Sequence, residues 1–440
     1  MNADTSQAHH QALGSASFSS GQPVVVCYYR KLSRYALNVL AGALETDPHT
    51  AKVPIVFSKS LESMIDNLGA ILEADARALV LWSFYSPQSE EIRNALQKVQ
   101  SAVRDTRITH LAGGVHATAE PEHTLDMGFD YVAMGEGEWV IQEIVRRLQN
   151  RAPLHRIRGL VAKGAARPIV KNRATPVVLD DYACGSRYHL KYGPIEITRG
   201  CIYACRFCQT PYINKARFRH RSVEKVVSEV SWLKAAGRRD IRFISPSALS
   251  YGATGEEVDL QQVENLLASI RQIIGNQGRI FFGTFPSEVR PEHISERSLK
   301  ILRKYVDNDN LVIGGQSGVQ RVLDLMRRGH TVRDISRAVE LCLACGFRPN
   351  VDFLFGTPGE TPADIAQSVN FARELAGLGA RIHIHSFMPL PGTPYRNQAG
   401  MPLPEPIRQA LGNLIARGEA YGQWHTQQKI ADELQKHFGD

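Results

Sequence analysis

Short apolar runs alternate with amphipathic stretches along nearly the whole chain. From Pro23 onward, apolar runs fall at residues 24–29, 53–57, 78–84, 108–112 and 131–134. Between them, 61–74, 89–103 and 139–148 repeat apolar residues every three or four positions, the period of a helix with one buried face. Five short strands alternating with helices predict a doubly wound parallel α/β sheet. Ligands of such sheets bind beyond the carboxyl ends of the strands. The loops expected there are 30–33, 83–86, Gly113-Gly114-Val115-His116 and Gly135-Glu136-Gly137-Glu138. Their glycines would let the backbone approach a large ligand closely. Neither glycine loop has the spacing of a dinucleotide fingerprint.

Residues 151–189, with Pro153, Gly159, Gly164, Pro168 and Pro176 among mixed charges, read as a linker with room for a small hairpin. A second alternating series follows. Its strand candidates are 195–198, 241–245, 280–284, 311–314, 351–355 and 382–387. Helical patterns lie at 223–236, 260–274, 296–305, 319–326, 335–345 and 363–378. Six βα units predict three quarters of a TIM-type barrel, with its chemistry at the strand carboxyl ends. The expected plan is thus a disordered lead-in (1–22), a Rossmann-like domain (23–150), the linker, a partial (β/α)6 barrel (190–395) and a helical C-terminal segment (396–440).

Composition adds limits. The chain has 440 residues, 43% hydrophobic and 22% charged, as in a globular protein with a sizeable core. No apolar run reaches the about 18 residues of a membrane span, and the start lacks the pattern of a secretory signal. A cytoplasmic address is expected. Lys and Arg exceed Asp and Glu by 52 to 44, a net +8. That charge allows a nucleic-acid partner without favouring one. The densest basic cluster, Arg217, Arg219, His220 and Arg221, has no interleaved row of aromatics. Seven cysteines without an export signal point to metal binding or reactive thiols rather than a disulfide framework.

Three of those cysteines lie within eight residues: Cys201-Ile-Tyr-Ala-Cys205-Arg-Phe-Cys208, directly after the first barrel strand. A structural zinc site normally asks for a fourth Cys or His. Iron–sulfur cubanes usually take four thiolates, so three leave one iron open to a ligand. The pattern Cys-x3-Cys-x-Phe-Cys after a strand resembles the signature of the radical S-adenosylmethionine (SAM) family. The resemblance implies a 4Fe–4S cluster held by Cys201, Cys205 and Cys208, whose open iron chelates the amine and carboxylate of SAM. One electron then breaks the sulfonium bond to give methionine and a 5′-deoxyadenosyl radical. Phe207 would lie beside the adenine.

The resemblance runs along the barrel, over roughly residues 190–395. Ser245, in Ile244-Ser245-Pro246-Ser247, stands where relatives place a polar motif near the SAM amine, though the usual glycine and glutamate are absent. Ser287 and Arg290, in Ser287-Glu288-Val289-Arg290-Pro291, resemble the segment holding the SAM ribose and carboxylate. Arg290 reads either as a bidentate partner of that carboxylate or as a surface ion pair. Gln316, in Gly314-Gly315-Gln316-Ser317-Gly318, occupies a position where many relatives carry Glu. The segments 351–360 and 385–394 resemble the last two strand ends, near adenine and the substrate opening. Cys342-Leu-Ala-Cys345 lies in an apolar helical pattern and reads as packing rather than a second cluster. Cys27 reads as strand core, and Cys184 has no assignment.

Residues 23–150 resemble the cobalamin-binding domain that precedes the barrel in B12-dependent radical SAM proteins, through the glycine loops at 113–118 and 130–138. The resemblance assigns Tyr29, Ser83, Gly113, Gly114, His116, Gly135, Glu136 and Gly137 to cobalamin. The Asp-x-His-x-x-Gly of proteins that supply an axial histidine is missing: Cys27-Tyr28-Tyr29-Arg30-Lys31-Leu32-Ser33 holds neither Asp nor His. His116 is read as an axial ligand or as a satisfied loop histidine. The function implied is cobalamin-dependent methylation of an unactivated carbon or phosphorus centre, on a small-molecule or peptide substrate. An electron donor such as flavodoxin or ferredoxin is expected as partner. The alternatives are radical SAM chemistry without methyl transfer (rearrangement, cyclisation or methylthiolation) and a cobalamin-responsive binding module. Methylthiolation usually accompanies a cysteine-rich N-terminal domain, and here only Cys27 precedes residue 180.

Overall fold

The computed structural model describes residues 18–169 and 173–438. It comprises two compact units: Met1–Val177 with Gly185–Lys191, and Val178–Cys184 with Tyr192–Asp440. Of the expected disordered lead-in, residues 1–17 lie outside the described residues. Residues 18–22 do not fit that expectation. Gly21 N–H donates to the Asp75 carbonyl (2.8 Å) and Ser20 Oγ to the Asp75 carboxylate (2.7 Å), tying the chain to the sheet it enters.

The first unit has strands β1 (Pro23–Tyr28), β2 (Ile55–Ser58), β3 (Arg77–Ser83), β4 (Ile108–Gly113), β5 (Tyr131–Ala133) and β6 (Leu160–Ala162). Its helices are α1 (Arg34–Thr46), α2 (Leu61–Glu73), α3 (Ser89–Ala102), α4 (Val115–Ala119), α5 (Pro121–Asp126) and α6 (Glu138–Gln149). The strand order is β2-β1-β3-β4-β5-β6, parallel except for β6. Helices cover both faces, so β1 is buried at every position, which is why it reads as an unbroken apolar run. The order reverses between β1 and β3, and the crevice beyond their carboxyl ends is the binding position of this topology.

The region read as a linker is not free. It supplies β6, antiparallel to β5, and then crosses back so that Ala174 N–H donates to the Met134 carbonyl at 2.9 Å. Gly159, at φ +85°, permits the crossing, because a Cβ there would sit 2.7 Å from the Ala174 nitrogen. Farther on, the Arg187 N–H donates to Glu45 Oε2 at 2.7 Å within the same unit.

The second unit has strands β7 (Ile195–Glu196), β8 (Thr198–Arg199), β9 (Arg219–His220), β10 (Asp240–Ile244), β11 (Arg279–Phe281), β12 (Asn310–Gln316), β13 (Arg348–Phe355), β14 (Arg381–Ser386) and β15 (Ala420–Tyr421). Its helices are α7 (Thr210–Ile213), α8 (Val223–Ala235), α9 (Leu260–Ile274), α10 (Glu296–Tyr305), α11 (Gln320–Leu325), α12 (Val332–Ala344), α13 (Pro362–Leu378), α14 (Glu405–Ala416) and α15 (Trp424–Phe438). Two parallel sheets, β7-β10-β11 and β12-β13-β14-β15, are joined by the bridge Val289↔Ile313 and by Val312 N–H donating to the Gly283 carbonyl at 2.8 Å. The six expected strands thus form an open barrel wall. The C-terminal segment is helical but adds β15, paired in parallel with β14. Side-chain caps at Ser222, Asp259, Ser295, Thr331 and Thr361 fix where the barrel helices start. Among the described residues no helix is long and apolar enough to cross a membrane.

Candidate cluster and cofactor sites

The triad loop leaves the barrel wall through the antiparallel pair β8–β9, which clamps its base. At the entry, Arg199 and Glu196 form a buried two-pronged pair (3.0 and 2.6 Å). Gly200 turns at φ +81°, where any side chain would collide with the Arg217 carbonyl. Inside the loop, Cys208 N–H donates to the Cys205 carbonyl (3.1 Å) and Tyr212 Oη to the Ala204 carbonyl (2.8 Å). Gln209 Nε2 reaches across to the Pro391 carbonyl at 2.7 Å. All three cysteines are free; Cys205 is buried, and Cys201 and Cys208 are half-buried. Burial pushes the Cys201 thiol up to about 11; Cys205 and Cys208 add to the rise, while Arg290 opposes it. Burial raises Cys208 as well.

A residue not anticipated from sequence completes this loop. Arg328, in the turn between α11 and α12, is buried with Nη1 3.4 Å from Cys205 Sγ and Nη2 donating to the Gly314 carbonyl at 2.7 Å. Arg290 backs it by donating to the Arg328 carbonyl. Arg290 also pairs with Glu292 and lies 3.5 Å above the Tyr203 ring. Arg290 is therefore neither a surface ion pair nor an unengaged guanidinium. The signal for Arg328 was the run Arg327-Arg328-Gly329-His330, whose proximity to the cysteines only the fold reveals.

Inside the barrel wall lies a cavity of about 210 Å³ bordered by Phe207, Glu288, Gln316, Asp352, His385 and Met388. Phe207 and Gln316 meet here; Ser245, Ser287 and Arg290 do not border it. Ser245 Oγ donates to the Ser247 carbonyl (2.9 Å), and Ser287 is fully buried with its Oγ unpaired. Gln316 adopts φ +75°, an uncommon conformation for a side-chain-bearing residue. Burial raises Glu288, and the Asp352 charge adds to it. Burial works to raise Asp352, but its hydrogen bond with His383 (2.9 Å) and the two neighbouring imidazoles hold it low.

In the first unit, the strand-end glycines are half-buried. Gly114, at φ +92°, packs so that a Cβ would lie 2.9 Å from Ser83 Oγ, whereas the space beside Gly113 is open. The backbone N–H of Gly135 (φ +94°) donates to Thr118 Oγ1 at 3.0 Å, and a Cβ on Gly137 would meet Leu40 at 2.9 Å. Tyr29 is turned inward to Asn38 (2.8 Å), and Glu136 accepts from the Val177 N–H (3.0 Å). His116 is fully buried, with ring nitrogens 3.0 Å from Ser86 Oγ and 3.0 Å from His123. Burial depresses its pKa to about 3. It is the satisfied histidine, not one facing a ligand. Of the basic cluster, Arg221 is buried with its guanidinium on the carbonyls of Glu196 and Tyr182 (2.9 and 2.7 Å), whereas Arg217 is exposed.

Comparison with known proteins meets this geometry from outside. Residues 195–372 match the family model of the Radical SAM superfamily, and residues 21–145 that of the B12 binding domain. The chain carries a radical SAM domain behind a B12-binding domain. Its fold is similar to that of TsrM from Kitasatospora setae, a radical SAM methyltransferase solved with cobalamin and a 4Fe–4S cluster. That match has a TM-score of 0.65 and 19% identity, covering 86% of this chain and 74% of that one. It is also similar to OxsB, a cobalamin-dependent SAM radical enzyme, with a TM-score of 0.66 and 14% identity over 90% and 55% of the chains. Among curated proteins, a tRNA-2-methylthio-N(6)-dimethylallyladenosine synthase of Ralstonia pickettii is 30% identical over 46% of this chain and 44% of its own length. The chain spans about half the length of the curated relatives it matches.

The families bring a 4Fe–4S cluster, SAM and cobalamin, and the residues present fit these groups. Only Asp352, His383 and His385, among the described residues, converge their ligand atoms to within 4.8 Å for a single ion. The three thiols stand farther apart, as a multi-iron cluster requires, with Arg328 placed to neutralise Cys205 once ionised. Of the strand-end glycines Gly113, Gly114, Gly135 and Gly137, Gly113 has open space beside it, where a broad flat ligand could approach the backbone.

Proposed function

We propose that this chain is a cobalamin-dependent radical SAM methyltransferase acting on an unactivated carbon, or a phosphorus centre, of a small-molecule or peptide substrate. The observation supporting it most is the union on one chain of a three-thiol loop backed by a buried arginine and a doubly wound domain with glycines at its strand ends. When bound, the cluster supplies one electron to the SAM sulfonium and cobalamin supplies the methyl group. Cys201, Cys205 and Cys208 would hold three irons and leave the fourth for SAM. Arg328 would offset thiolate charge at the buried Cys205. Phe207 and Gln316 shape the adjoining cavity. His116, buried and bonded to Ser86 and His123, would support the fold of this unit rather than hold the cofactor. The electron would come from a flavodoxin- or ferredoxin-type donor.

Methylthiolation, the activity named for the curated relatives, has less support. Cys27, the one cysteine before residue 180, is buried with its thiol pushed up to about 12, which disfavours a second cluster there. The test uses methyl-deuterated SAM with candidate small molecules and peptides under anaerobic, reducing conditions. A product carrying the intact labelled methyl, formed only with hydroxocobalamin present, is expected. Product without corrinoid, or with sulfur inserted, contradicts the reading.

A further inference from the structure

Asp352 and His383 are register partners on the adjacent parallel strands β13 and β14, and His385 lies two residues on, on the same face of β14. Their polar atoms converge. His383 Nδ1 is 2.9 Å from Asp352 Oδ1, His385 Nε2 is 3.0 Å from His383 Nδ1, and His385 Nε2 is 3.8 Å from Asp352 Oδ1. A point equidistant from the three atoms of that triangle lies about 1.9 Å from each, against the roughly 2.0–2.2 Å of zinc–imidazole and zinc–carboxylate bonds. An ion slightly above their plane would meet all three and face the cavity that Asp352 and His385 border. The Tyr421 ring stacks on His383 (centroids 4.3 Å apart), fixing that imidazole.

Hydrogen-bond accounting points the same way. Gln427 Oε1 accepts from the Ser386 N–H (2.8 Å), so its Nε2 faces His385 Nδ1 (3.2 Å). That places the proton of neutral His385 on Nε2, aimed at His383 Nδ1. The same nitrogen of His383 cannot accept from His385 and donate to Asp352. The three groups therefore meet around the place of one cation.

We propose that Asp352, His383 and His385 form a divalent transition-metal site of the zinc type, with an open position toward the cavity for an oxygen donor of the substrate. Two imidazoles and one carboxylate form a donor set suited to such ions, and three protein ligands with one open position mark a site that binds substrate rather than structure. Gln427 tunes it. A metal on His385 Nε2 needs an acceptor at Nδ1, where the amide presents a donor, so Gln427→Glu should tighten the site.

The site does not depend on methyl transfer, and its test is separate. Full-length chain with Cys201, Cys205 and Cys208 all replaced by Ala is titrated with Co2+, and the visible absorption is read with circular dichroism as a fold check. One cobalt per chain is expected, with nitrogen–oxygen bands and no thiolate charge transfer. His385→Gln or Asp352→Asn should weaken it at least tenfold, and Gln427→Glu should strengthen it about tenfold. Zinc content of the unsubstituted, cluster-loaded chain gives a second reading: one zinc per chain, lost in His383→Gln. A folded triple variant that takes up no cobalt, or cobalt binding indifferent to the His and Asp replacements, overturns the proposal.

Discussion

The carboxyl ends of the strands in the two units are built from opposite materials. In the first unit they are glycines and inward-turned side chains: Gly113, Gly114, Gly135 and Gly137, with Tyr29, Glu136 and His116 bonded to their own domain. In the barrel they are the buried charges Arg290, Arg328 and Asp352, with the half-buried Glu288. Parallel α/β topology puts binding at the same end in both. A large ligand gripped over a broad face needs backbone approach, whereas a cluster of thiolates and a charged cosubstrate need fixed counter-charges. On the proposed function, one unit would recognise by shape and the other by electrostatics.

The comparison can be broken most forcefully at the triad. Cys205→Ala should reduce bound iron from about four per chain to background and abolish 5′-deoxyadenosine release, while corrinoid uptake persists. Iron analysis, product chromatography and the corrinoid spectrum read all three. Loss of corrinoid as well would mean that the two units do not load separately.

Arg328→Met is next in size. It leaves the Gly314 carbonyl without its partner and Cys205 without its cation, and should destabilise the chain by about 3 kcal/mol. Denaturant midpoints measure this, and faster cluster loss in chelator should accompany it. Arg328→Lys should restore cluster retention only in part, because it keeps the charge but not the fork.

On the other side, Gly114→Ala forces a side chain to φ +92° against Ser83 Oγ, a strain of about 1–3 kcal/mol. Corrinoid retention should drop with iron content unchanged, by spectrum and iron assay. His116→Gln sharpens the contrast most gently. It should leave corrinoid retention unchanged. A histidine whose folded pKa is depressed to about 3 contributes stability above its unfolded value near 6.5, and that contribution is lost as pH falls toward 3. The stability lost between pH 7 and 5.5 should therefore shrink by about 1 kcal/mol in the variant, by paired denaturant titrations.

Much of this was legible in the alternation of apolar runs. A strand buried on both faces, such as 23–28, announces itself because nothing polar interrupts it. The triad was legible because its three ligands are local. What the sequence hid is what closes through space. β6 and β15 are short and gain their identity only from a neighbour's free edge. Arg328 reaches Cys205 across more than a hundred residues. Asp352 meets His383 only through the parallel register of β13 and β14, although the i, i+2 spacing of His383 and His385 already put both on one face. Arg290 could be named as a cation but not as one already engaged, since Glu292 and the Arg328 carbonyl claim it in the fold.

The most direct test of the central claim is cofactor stoichiometry in one anaerobic sample. The chain is reconstituted with iron and sulfide, supplied with hydroxocobalamin, and assayed for bound corrinoid, iron and 5′-deoxyadenosine release. One corrinoid beside about four irons, with deoxyadenosine formed from SAM, is the predicted result. Four irons and deoxyadenosine with no retained corrinoid would contradict it, leaving a radical SAM enzyme whose first unit serves something other than cobalamin.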